Sequence, residues 1–119
     1  MYQFARYLHA VDGTRSWSEI EPLFDAAFDT EATFVTADGE VDLAHWKRMA
    51  HGLVDRRTVI SDFQLTTRDG ESAMYSLTLT APGEEPVRLV ATARFREGRV
   101  LRVEPADPTQ YAELYSQNT

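Results

Sequence analysis

The chain has 119 residues, of which 43% are hydrophobic, and it carries a formal net charge of −7 and no cysteine. This length predicts one domain over residues 1–119, with enough apolar side chains to bury a core. The negative charge disfavours binding to a nucleic-acid backbone. Without cysteine, disulfides and thiolate metal sites are excluded.

No apolar segment is long enough for a signal peptide or a membrane span. Arg6 and His9 interrupt the first eleven residues, where a signal peptide would need an unbroken apolar run. We therefore expect a cytoplasmic protein without a membrane partner. No nucleophile motif, phosphate-binding glycine loop or metal-ligand spacing occurs in the sequence, so no cofactor is expected.

The first half of the chain has helical periodicity. A first helix is predicted to end at Asp12-Gly13, and a second to span about residues 18–28 with Ser18 and Glu21 as its capping box. A third helix is predicted to begin after Asp42, which can cap it. The apolar positions of the three helices recur at spacings of three and four residues: Phe4, Tyr7, Leu8 and Val11; Ile20, Leu23, Phe24, Ala27 and Phe28; Leu43, Trp46, Met49, Ala50 and Leu53.

Between the second and third helices, a short two-stranded ribbon is predicted. Residues 32–36 are β-branched, aromatic or small, and Asp38-Gly39 is a strong hairpin signal.

The second half alternates with a period of two, which predicts four antiparallel strands. The hairpin signals are Asp69-Gly70, Pro82-Gly83 and Glu97-Gly98. The opposite face of these strands is polar and rich in threonine, which suits either water or a second copy of the sheet. A short terminal helix or turn is predicted after Asp107-Pro108. The side chains predicted to face the core are Val59, Phe63, Leu65, Ala73, Tyr75, Leu77, Leu79, Val87, Leu89, Ala91, Ala93, Phe95, Leu101 and Val103.

This order of elements resembles the nuclear transport factor 2-like superfamily, the cone-shaped group that includes SnoaL-like polyketide cyclases and ketosteroid isomerases. The resemblance covers residues 2–105. It rests on Arg6-Tyr7, the run 23–34, the third helix after the ribbon, and the run 94–100. It implies an α+β fold with three N-terminal helices and a short hairpin packed on a curved, mainly antiparallel sheet. It does not imply one function, because the fold hosts several enzyme types and binding modules.

The resemblance also tests one mechanism. An enolising isomerase needs a carboxylate base, together with a hydroxyl and a protonated acid that donate to the oxyanion. The family's oxyanion-hole tyrosine matches Tyr7, but its base falls at Thr36 and its second acid at Ala91. Because neither residue is a carboxylate, the ketosteroid isomerase mechanism is not expected.

Eight residues are the candidates for a site between the helices and the inner face of the sheet. Tyr7 would orient or polarise an oxygen, and Asp38 or His45 would act as base. Each has a plainer interpretation: a core tyrosine, a turn former and a surface histidine, respectively. The predicted ligand contacts are Trp17, Thr36, Trp46, Tyr75 and Ala91.

Two functions follow. The first is a homodimer that binds a hydrophobic small molecule in an apolar pocket, either as a binding domain alone or as a cofactor-independent cyclase, isomerase or dehydratase that acts by proton transfer. The second is a non-catalytic association module that uses the outer face of the sheet. A cavity of a few hundred cubic ångströms favours the first, and an interior packed to ordinary core density favours the second.

Overall fold

The computed structural model describes residues 2–67 and 69–107. The terminal helix or turn predicted beyond Asp107 therefore lies outside the described residues. In chain order, the described elements are α1 (Tyr2–Ala10), α2 (Trp17–Ala27), β1 (Phe28–Thr36), β2 (Gly39–Asp42), α3 (Leu43–Asp55), β3 (Val59–Thr67), β4 (Ser72–Thr80), β5 (Val87–Arg96) and β6 (Arg99–Pro105).

Two of the helices, α2 and α3, begin after a residue that can cap them. Asp42 Oδ1 accepts a hydrogen bond from the His45 backbone N–H at 2.9 Å, which confirms the predicted cap of α3. The predicted capping box of α2 is wrong by two residues. The helix begins after Ser16, whose N–H donates to Glu19 Oε1 at 3.4 Å. It starts earlier because Trp17 extends the apolar stripe and packs on Phe24, with ring centroids 5.8 Å apart.

One six-stranded sheet replaces the predicted four strands and separate ribbon. Its strand order is β2-β1-β6-β5-β4-β3. The ribbon joins the sheet because β1 is longer than predicted and pairs in parallel with β6, with Phe34 opposite Val103. All other neighbouring strands are antiparallel. The sheet is curved and open, and the three helices pack on it in an α+β arrangement.

The predicted set of core-facing side chains is confirmed along β4 and β5. In β3 and β6, part of the alternation is shifted by one residue. Ile60, rather than Val59, lies against the core at the start of β3. In β6, Val100 is fully buried and Leu101 only partly so. Each change is caused by a β-bulge. In β3 the bulge lies between Ser61 and Gln64. In β6 it lies between Val100 and Arg102, opposite the step from Arg94 to Phe95 in β5. One extra residue reverses the alternation.

The helices cover one face of the sheet and leave the other open. We call this second surface the outer face; it carries Met74, Ser76, Arg88, Val90 and Arg102, among others. Within residues 2–67 and 69–107, no helix is both long and apolar enough to cross a membrane.

Candidate functional site

A cavity lies between the helices and the inner face of the sheet. Its volume is about 50 Å³, which is room for about three to five waters, and it opens to solvent. The described lining residues carry no charged side chain: Phe4, Tyr7, Leu8, Phe28, Phe34, Trp46, Ala50, Leu53, Ile60, Tyr75, Leu77, Leu79, Leu89 and Val103.

Tyr7 is one of the two lining residues that carry a hydroxyl, with Tyr75 the other, among the described residues of the wall. Its side chain is 6% exposed, and its ring packs edge-on against Phe24 and Phe28 at 5.3 and 5.7 Å. The hydroxyl makes no hydrogen bond to another residue in the described part of the chain. Burial raises the pKa of this phenol far above its usual value, so it remains protonated at neutral pH. A lining residue therefore carries a neutral hydroxyl that could donate a hydrogen bond to a ligand oxygen.

Two more of the predicted site residues line the same cavity. Trp46 is stacked on Phe34 with ring centroids 4.2 Å apart and planes at 3°. Tyr75 on β4 lies edge-on to Phe4 at 5.2 Å. These contacts come from three different elements, so the fold, rather than one local motif, brings Tyr7, Trp46 and Tyr75 together.

The other predicted ligand contacts are not among the lining residues. Trp17 is half-buried and stacks on His51, with ring centroids 4.9 Å apart. Thr36 Oγ1 donates to the Gly39 carbonyl at 2.7 Å and so stabilises the turn after β1. Ala91 is buried opposite Tyr75 in the sheet. Its methyl group supports the tyrosine from the neighbouring strand.

The two predicted bases are exposed and are not among the lining residues either. Asp38 is in the turn between β1 and β2, where its N–H donates to Thr36 Oγ1 at 3.3 Å. His45 is in the first turn of α3, one residue before Trp46. Their role as base stays a prediction. Among residues 2–67 and 69–107, no three His, Asp or Glu side chains converge as metal ligands.

Most of the remaining lining residues were predicted as core rather than as site. Phe4 and Leu8 share the α1 stripe with Tyr7, and Leu77 and Leu79 share the β4 face with Tyr75. The hydrophobic periodicity of the sequence therefore predicts the inward orientation of most of the lining residues. Phe34 and Ile60 lacked such a signal, because their orientation depends on the parallel pairing of β1 and on the bulge of β3.

Comparison with solved structures finds close matches to the whole arrangement. An NTF2-like protein of unknown function from Cytophaga hutchinsonii superposes with a TM-score of 0.66 at 11% identity, covering 92% of this chain and 91% of the other. This chain has the nuclear transport factor 2-like fold. A putative SnoaL-like polyketide cyclase from Jannaschia sp. CCS1 gives a TM-score of 0.65 at 11% identity, over 96% and 88% of the two chains.

A de novo designed NTF2 fold protein matches about as well. Its TM-score is 0.63 at 15% identity, with 97% and 91% of the chains covered. No protein-family model and no curated protein sequence matches the chain. At these identities the likeness establishes the NTF2-like fold alone.

Proposed function

We propose that this NTF2-like domain binds a hydrophobic small molecule that carries a hydrogen-bond acceptor. The observation that supports the proposal is Tyr7, which lines an apolar cavity and whose hydroxyl makes no hydrogen bond to the described residues. A buried tyrosine hydroxyl normally has a partner. A carbonyl or ether oxygen of a ligand would supply one.

The lining chemistry favours a neutral ligand. A carboxylate inside the cavity would lose its hydration and find no cation among the described lining residues. A ketone or other carbonyl compound loses far less on burial and gains the Tyr7 hydrogen bond. The substrate class we propose is therefore a neutral, mainly apolar carbonyl compound.

At about 50 Å³ the cavity is smaller than the few hundred cubic ångströms that would favour a ligand site, and it must widen to hold a ring. An apolar cavity of about 150 Å³ accommodates benzene, whereas the space here is about 50 Å³. Side-chain movement at the open mouth would supply the difference. Trp46 and Tyr75 would then present flat apolar surfaces to the ligand.

For catalysis, we propose cofactor-independent proton transfer of the cyclase, isomerase or dehydratase type. Tyr7 would donate to the carbonyl oxygen as negative charge develops on it. The base must come from outside the described lining. Asp38 and His45 are the candidates, and His45 directly precedes the lining residue Trp46 in α3. Because Thr36 and Ala91 stand where the ketosteroid isomerases have carboxylates, this chemistry would differ from theirs.

Binding of cyclohexanone tests the proposal, with methylenecyclohexane as the isosteric ligand that lacks the oxygen. Tyr7→Phe should weaken cyclohexanone binding about 2- to 12-fold, the equivalent of one neutral hydrogen bond of about 0.5–1.5 kcal/mol. It should leave methylenecyclohexane binding unchanged. Tyr2→Phe is the matched control, because Tyr2 is exposed on the same helix. If the wild type binds neither compound at millimolar concentration, the proposal fails.

The outer face supports a second candidate function, a homodimeric association module. Met74 and Val90 are exposed on neighbouring strands there, where Ser76 pairs with Val90 and Met74 with Thr92. Sheet faces of this mixed character pack well against a second sheet. Val90→Glu should lower the sedimentation coefficient from that of a dimer to that of a monomer, while Ala37→Glu in the β1–β2 turn should not. A monomeric wild type at high micromolar concentration would refute this function.

A further inference from the structure

The edge strand β3 contains a bulge that decides which of its side chains reach the cavity. Ser61 pairs with Thr78 and Gln64 with Ser76, so Asp62 and Phe63 together oppose the single residue Leu77. Phe63 packs on the core, with its ring centroid 6.0 Å from that of Phe4. Strict alternation backward from Phe63 would turn Ser61 and Val59 inward.

The bulge turns Ile60 inward instead. Ile60 lines the cavity, whereas Val59 lies against Gly13 in the connection between α1 and α2. A wall of the proposed ligand site therefore depends on one extra residue in β3. Bulges commonly re-aim a side chain in this way near functional sites.

The backbone at the bulge is unfavourable for the residue that forms it. Asp62 has φ 52°, in the left-handed region that glycine usually occupies at the first position of such a bulge. An extra residue also leaves its carbonyl without a place in the regular ladder. A hydrogen bond from outside the strand to this carbonyl would therefore stabilise the conformation.

Arg88 makes the contacts that do so, from the outer face. Its Nη1 donates to the Asp62 carbonyl at 3.0 Å and to Thr78 Oγ1 at 3.1 Å, and its Nη2 donates to Ser76 Oγ at 2.7 Å. One guanidinium thus spans from β5 across β4 to the bulge of β3. Among the described residues, no carboxylate pairs with Arg88.

We propose that Arg88 is a positioning residue: by fixing the β3 bulge from the outer face, it keeps Ile60 in the wall of the cavity on the opposite side of the sheet. Its effect on ligand binding rests on the proposed function, but its effect on Ile60 does not. The same contact connects the outer face with the cavity.

Methyl NMR can test this directly, because Ile20 and Ile60 are the two isoleucines of the chain. Ile60 reports on the bulge, and Ile20, buried in α2, reports on the rest of the core. In Arg88→Met, the Ile60 δ1 signal should move or split while the Ile20 signal stays. Arg94→Met is the matched control, since Arg94 is exposed on the outer face of the same strand and its side chain makes no hydrogen bond within the described residues.

A glycine at the bulge should make the arginine dispensable. Adding Asp62→Gly to Arg88→Met should return the Ile60 signal to its position in Asp62→Gly alone, since glycine adopts the left-handed conformation without help. Cyclohexanone affinity should fall about 10-fold or more in Arg88→Met, the scale of a one-methylene misfit in an apolar pocket, and recover in the double variant. If Arg88→Met fails to fold, Arg88→Lys, which keeps the charge but loses the two-nitrogen contact, takes its place.

The outcomes separate the two proposals. A folded Arg88→Met variant with unchanged Ile60 and Ile20 signals overturns the role of Arg88. Equal movement of both signals also overturns it, because that is the result of a general loss of packing. If the wild type does not bind cyclohexanone, the proposed function fails, and the Ile60 signal still decides the role of Arg88.

Discussion

Trp46→Ala tests whether the cavity wall is also a main support of the fold. Trp46 is 9% exposed and stacks on Phe34 at 4.2 Å, so most of its side chain leaves water on folding. A buried aromatic side chain removes about 150–250 Å² from water, worth about 4–6 kcal/mol at 25 cal/mol/Å². Alanine retains a small part of this, and we expect the free energy of unfolding to fall by about 3–5 kcal/mol.

Urea unfolding followed by circular dichroism measures this change, with the denaturant slope checked for constancy. Trp17→Ala is the control, because Trp17 is half-buried and should cost less than Trp46. The alanine variant also enlarges the cavity, so benzene should bind to it and raise its stability relative to the unliganded variant. A loss below about 1 kcal/mol would refute the reasoning, since it falls beneath the range for truncating a core aromatic.

Three further predictions concern the Tyr7 hydroxyl, the Asp29 carboxylate and the backbone of Gly13. Tyr7→Phe should change the free energy of unfolding by less than about 0.5 kcal/mol in urea, because its hydroxyl makes no hydrogen bond to the described residues. The hydrogen bond from Arg96 lowers the pKa of Asp29 in the folded state. The ionised Asp29 therefore stabilises the fold at neutral pH, and this stabilisation is lost as pH falls through the pKa of the folded state. Asp29→Asn should therefore flatten the loss of thermal stability between neutral and acid pH. Gly13→Ala should destabilise by about 1–2 kcal/mol, since Gly13 has φ 83° and an added Cβ would lie 3.0 Å from Val59.

Each of these has its own control. Tyr2→Phe gives the baseline for the tyrosine, and a large loss in Tyr7→Phe would assign the Tyr7 hydroxyl to the fold instead of to a ligand. For Asp29, thermal stability that falls as steeply toward acid pH in Asp29→Asn as in the wild type would contradict the expected coupling of its protonation to unfolding. Gly70→Ala is the control for Gly13→Ala, because a Cβ at Gly70 would meet no atom within 4 Å. Equal effects of the two glycine substitutions would contradict the steric argument.

The sequence predicted the parts of the site that depend on local geometry. Phe4, Tyr7 and Leu8 lie on one face of α1 because residues three and four apart are neighbours on any helix. Tyr75, Leu77 and Leu79 share a face because successive residues of a strand alternate. The order of helices, ribbon and strands was enough to indicate the NTF2-like fold. The two candidate bases, Asp38 and His45, remain predictions that no contact of the cavity wall yet supports.

What the tertiary structure alone decided is the phase of the strands and the partners between them. Phe34 reaches the cavity because β1 pairs in parallel with β6, and Ile60 because Asp62 forms a bulge that Arg88 holds from a distant strand. Neither pairing leaves a local signature, since each is stabilised by residues far apart in the sequence. The sequence by itself thus determined the elements and most of their buried faces. The long-range hydrogen bonds of the sheet determined which of those side chains meet around the cavity.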